Sequence, residues 1–178
     1  MGIFSRKRKA TPRQLASDIW GILVSMIKYE RAKAKEFDRD KFLAEHGFDH
    51  DEKKAVEEHM FLYAFLVHTV TPRYFYERGN LILTEFDKII IENDMEYLLQ
   101  GVLEYRKTWN EAIARAEQTN DNSALNNPIY CISKLASTRC FGEKDGIHIF
   151  KILHFSFIVN PFCELLFDLF KKYEVSSV

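Results

Sequence analysis

Glycine and proline are scarce in this chain, with 7 Gly and 4 Pro among 178 residues. A β protein of this length needs a turn about every 8 to 12 residues, so the shortage excludes a sandwich or barrel and leaves helices as the default. Cysteine is nearly absent too. Cys131, Cys140 and Cys163 form no metal-ligand pair, and the reading is three reduced thiols in a cytoplasmic protein, with nothing resembling a secretory leader before them. Charge of one sign is also lacking, since 25 Lys/Arg stand against 26 Asp/Glu. That balance gives no overall attraction to nucleic acid or acidic lipid. Glycine-rich phosphate loops, Walker signatures, His-Glu-x-x-His and Gly-x-Ser-x-Gly do not occur.

What is abundant is aromatic: 15 Phe, 8 Tyr and 2 Trp, most of them in apolar stripes at helical spacing. Stacking on nucleic acid would need basic residues interleaved with the rings, and the dense basic cluster, Arg6 to Lys9, has one ring beside it. The aromatics are therefore read as core, and nucleic acid is not expected as a partner. The expected fold class is all-α, a single domain of seven or eight helices over residues 11–178 without internal repeats, preceded by a disordered basic tail at residues 1–10. A myristoylation signal fails because Arg6 stands where Ser or Thr is needed.

Thr11-Pro12-Arg13-Gln14 predicts a helix start, with Thr11 as cap, Pro12 in the first turn and Gln14 closing a capping box. Leu15, Ile19, Ile22, Met26 and Tyr29 then fall on one stripe, widened by Trp20, Leu23 and Ile27. A short helix is expected over Asp40 to His46, stopped by Gly47, and a longer one from a capping box at Asp49 and Glu52 to Val70. Its half from Met60 to Val67 is continuously apolar and should be buried on all sides. Thr71-Pro72-Arg73 predicts a break followed by a short helix to Gly79, a kinked continuous helix being the alternative.

Leu81 to Ile91 could be argued as a strand, but a lone strand has no partner, so helix is preferred. Asn93 to Glu96 has capping-box spacing before the stripe Leu98, Val102, Tyr105, Trp109 and Ala112, whose outer face offers Glu104 with Lys107. Gln118 to Asn127 is a polar linker, and Asn127-Pro128 opens a helix ending near Gly142. From Ile147 to Phe170 the chain is mostly apolar, interrupted by His148, Lys151, His154, Asn160, Glu164 and Asp168 and bent at Pro161. The expectation is a central core helix pair, with no transmembrane segment. A tail so apolar must pack on its own chain or on a second copy, which makes a homodimer a concrete possibility.

The densest set of potential ligands is Glu45, His46, Asp49, His50, Asp51 and Glu52, at a turn between helices. His50-Asp51 resembles the His-Asp pair of the HD-type phosphohydrolases, which implies a metal-dependent hydrolase with His46, His50 and Asp51 as metal candidates. That family's pattern also needs a distant upstream His and a distant Asp. His46 is too close for the first, and capping explains Asp49 and Glu52. Helical di-iron sites need Glu-x-x-His pairs, and no His has Glu three positions before it. Asp145, three residues before His148, reads as a helix cap, and Ser25-Met26-Ile27-Lys28 resembles the Ser-x-x-Lys of penicillin-recognising enzymes but lacks their Ser-Asp-Asn and Lys-Thr-Gly elements.

Polar groups within apolar helices remain: His68, Arg73, His148, His154 and Asn160. Each must meet a polar partner, a water or a ligand. The candidate ligand-binding residues are thus His68, Arg73, His154 and Asn160, with His68 or His154 orienting a small apolar molecule in an aromatic pocket. The composite expectation is a non-enzymatic cytoplasmic helical module that acts by protein–protein interaction or self-association, with no cofactor. Small apolar ligand binding is the alternative.

Overall fold

The computed structural model describes residues 7–36, 52–119, 123, 126–141 and 149–175. Among these residues there are six helices and one pair of short strands. They follow the order β1 (Arg8–Ala10), α1 (Pro12–Glu36), α2 (Glu52–Phe75), α3 (Glu77–Glu92), α4 (Tyr97–Thr119), α5 (Pro128–Phe141), α6 (Ile149–Lys172) and β2 (Tyr173–Val175). The all-α class holds, but the expected seven or eight helices are six among the described residues, and two predicted breaks do not occur. The expected helix at Asp40 to His46, the Asp49 cap, and His148 lie outside the described residues.

The first missing break is at Pro72. Helix α2 carries Pro72 inside its last turn and ends at Phe75. The chain turns instead at Tyr76, which holds φ 52° and ψ −128°, a conformation that favours glycine. Gly79, expected as a helix end, lies within α3. A Cβ there would fall 2.6 Å from Pro72 Cα, so only glycine lets the two backbones approach so closely. Leu81 to Ile91 is helical.

The second missing break is at Pro161, which α6 contains without interruption. Proline removes one hydrogen bond to the carbonyl of Phe157 but leaves the helix continuous. The C-terminal segment is therefore one helix rather than a pair, and it is not central. The centre is α2, which packs against all five other helices. Every residue from Glu58 to Val67 is buried, as the apolar run predicts.

Around α2 the others form a ring in the order α3, α1, α6, α5, α4. The ring is imperfect at two places: α3 and α4 scarcely touch, and α1 meets α6 less than α5 does. At one end of that second seam β1 and β2 pair in parallel, Arg8 beside Tyr173 and Ala10 beside Val175. Ala10 and Val175 are buried, and Arg78 Nη1 donates to the Val175 carbonyl at 2.5 Å. Arg8 to Ala10, expected to lie in a disordered tail, form β1.

Local signals explain the helix ends. Gln14 N donates to Thr11 Oγ1 at 3.2 Å while Thr11 N donates to Gln14 Oε1 at 2.9 Å, the reciprocal capping box. Asn127 Oδ1 accepts from the amides of Ile129 and Tyr130 and starts α5. Asn93 does not open α4. Its side chain donates back to the Ile89 carbonyl at 2.8 Å, and the amides of Asp94 and Met95 bond Ile91 and Ile90, with Asp94 at φ 56°. That is a Schellman ending of α3, with Asp in the left-handed position usual for Gly.

Candidate functional site

The sequence-derived candidates do not converge. His68 is half-buried on α2, its Nε2 2.9 Å from Asp87 Oδ1 on α3. The approach is out of line for a hydrogen bond, and the two groups meet without one. Its ring stands edge-on to Phe86 at 6.1 Å. Arg73 is exposed in the last turn of α2, where a cation complements the helix dipole. His154 packs edge-on against His59, with ring centroids 5.4 Å apart, and Asn160 is exposed on α6. His46, His50 and Asp51 lie outside the described residues, among which no group of three potential metal ligands is found.

The polar residues that sequence reasoning missed sit near the centre. Glu58 is 4% exposed, and its carboxylate accepts from Arg139 Nε at 2.7 Å and from Tyr105 hydroxyl at 2.9 Å. Arg139 also reaches Glu104 at 3.0 Å, in place of the expected Glu104–Lys107 pair, and lies 4.8 Å above the Phe61 ring. Burial pushes the Glu58 carboxyl up to about 7 despite the pull of Arg139 and Tyr105 in the other direction. Burial and the Glu58 charge likewise hold the Tyr105 phenol well above its usual range.

This cluster ties α2, α4 and α5 together, and no groove described below opens on it. One signal was legible, since Glu58 and His59 immediately precede the fully apolar run. His59 is buried beside it on α2, with Nδ1 2.6 Å from the Ala55 carbonyl.

The two imperfect seams of the ring are grooves. The larger, about 1010 Å³, runs between α1 and α6 and is floored by Ile22, Met26, Pro161, Leu165 and Leu169. Its rim carries Asp18, Glu164, Asp168 and Lys172. Residues 18 to 29 of α1 and 161 to 172 of α6 each span about 16 Å, or three turns. The smaller, about 480 Å³, lies where α2, α3 and α4 meet and includes His68 and Asp87. Neither is the enclosed Phe- and Tyr-lined pocket that the ligand alternative expects.

Helix α6 is the most unusual element. Its stretch Ile152–Lys172 is long and apolar enough to cross a membrane by length and composition, as core helices also are, yet 33% of it is buried. Phe157 is 71% and Leu165 42% exposed. The three cysteines are free, and burial pushes the Cys163 thiol up, away from the reactive thiolate. Compared with known proteins, the chain matches no family model, no curated relative and no solved structure.

Proposed function

We propose that the chain is a self-associating helical module, a homodimer built on the outer face of α6 and the groove beside it. The observation that carries this reading is the half-finished burial of α6. An aromatic side chain left 71% in water and an apolar floor along the adjacent seam are surfaces that association would cover. Helix α1 contributes from the other side. Its stripe divides, with Leu15, Ile19, Leu23 and Ile27 in the core and Ile22 and Met26 facing the seam.

A second copy fits this face because the face is self-complementary. Phe157 and Leu165 lie one turn either side of Pro161, and His154 and Asp168 lie two turns either side. An antiparallel two-fold pairing of α6 with its equivalent about Pro161 sets each Phe157 over the partner copy's Leu165, within the groove. Each contact then occurs twice, the mutual arrangement that a two-fold axis requires. A lipid surface fits less well, since Asn160, Glu164 and Asp168 share that face and carboxylates are costly in hydrocarbon.

Size-exclusion chromatography with light scattering tests the reading. The expected mass is twice the 21.0 kDa of one chain, falling to one chain on dilution and in Leu165→Glu and Phe157→Glu, with helicity unchanged. A wild-type monomer at all concentrations overturns the dimer. Sedimentation of that monomer with vesicles would assign the face to lipid instead.

A further inference from the structure

The groove between α2, α3 and α4 is independent of the α6 face and has a different chemistry. Its 480 Å³ falls within the range of small-molecule sites, about 300 to 1,000 Å³. It exists because the Schellman turn at Asn93–Met95 sends α4 away from α3, so the two helices diverge over α2 instead of packing. One wall is apolar, made by Leu83, Leu99, Val102 and Leu103, with Leu103 61% exposed. The polar side holds one anion and one cation, on facing helices.

The anion is Asp87, on α3. One of its oxygens lies 2.9 Å from Nε2 of the half-buried His68, and neither oxygen makes a hydrogen bond among the described residues. The cation is Arg106, on α4. It has no ion-pair or hydrogen-bond partner among the described residues, although its guanidinium offers five donors in a planar fork suited to a carboxylate. By contrast, Arg13 is committed to Glu92, Arg139 to Glu58 and Arg78 to a carbonyl.

We propose that this groove binds a small zwitterion with a hydrocarbon body, of the class of free apolar α-amino acids. The ammonium group would meet Asp87, the carboxylate would meet Arg106, and the side chain would lie on Leu83, Leu99 and Leu103. Opposite charges on facing helices of one groove select against a plain fatty acid, which offers Asp87 no ammonium, and against a plain amine, which offers Arg106 no carboxylate. Thr84, whose hydroxyl is already spent on the Asn80 carbonyl at 2.9 Å, contributes shape only.

Isothermal titration of the full chain with L-leucine and L-phenylalanine tests this, with leucinamide and 4-methylpentanoate as controls lacking one charge each. Saturable binding of the amino acids is expected, weaker by about tenfold or more for either control and for Arg106→Gln or Asp87→Asn. Both substitutions are at partly or fully exposed positions and should leave helicity intact, which circular dichroism checks. No binding of either amino acid at about 10 mM overturns the proposal. So does equal binding of 4-methylpentanoate, or unchanged binding by both variants.

Discussion

Glu58 shows how one residue can carry both a structural bond and a cost. Its carboxyl is held at about 7, above its ordinary value of 4.5, because burial disfavours the charged form more than Arg139 and Tyr105 favour it. The folded chain therefore binds a proton that the unfolded chain has released across that interval. Stability from this group is fully present below 4.5 and is lost as pH rises through about 7, a displacement worth on the order of 3 kcal/mol.

Glu58→Gln should flatten that slope. Melting temperature measured from pH 5 to 8 is expected to fall in the parent and to vary less in the variant, with Arg139 still paired to Glu104. A parent that is more stable at pH 8 than at pH 5 would contradict this. Glu58 was legible as a polar residue bordering an apolar run. Its partners were not, because Tyr105 and Arg139 are 47 and 81 positions away and only packing brings them together.

Helix pairs in this fold meet most closely where glycine replaces a side chain. At Gly101 a Cβ would lie 2.2 Å from Phe61 Cδ1, deep in a ring confined by Tyr97 at 5.9 Å and by the Arg139 guanidinium. Gly101→Ala gains about 1 kcal/mol of helix propensity but forces that ring aside and loosens α2 from α4. The clash should win, with a net loss of about 1 to 2 kcal/mol in urea unfolding. Among the elements, the capping box at Thr11 and the cap at Asn127 were readable because they are local. The break at Pro72 and the box at Asn93 were misread for a shared reason. A proline can sit in the last turns of a helix whose neighbour packs on it, and an Asn between two helices can serve the one behind as readily as the one ahead.

Across the whole molecule, the ring around α2 is closed between α1 and α6 by the smallest element, the β1–β2 pair. Val175→Asp would place a charge at a position 2% exposed, facing Ala10. Hydrogen exchange should then accelerate at Lys9, Ala10 and Tyr173 to Val175 and in the first turn of α1. The amides of Tyr63 and Tyr105 should keep their protection, since the core around α2 does not depend on the strands. Uniform loss of protection would mean that the strands hold the entire ring. The pairing joins residues 165 positions apart, and nothing in two three-residue segments announces it.

The amino-acid order by itself determined the helical class, the apolar faces and the complete burial of Met60 to Val67, because periodicity and turn-residue content act within one segment. Tertiary structure decided which helix is central. The Ile147 to Phe170 segment is the most apolar, yet α2 occupies the middle, since only the helix that is apolar on every side can be surrounded, and α6 carries Asn160, Glu164 and Asp168 on one face. The polar side chains of His68, Asp87 and Arg106 were likewise visible in the chain, but their gathering around one groove depends on where α3 and α4 part.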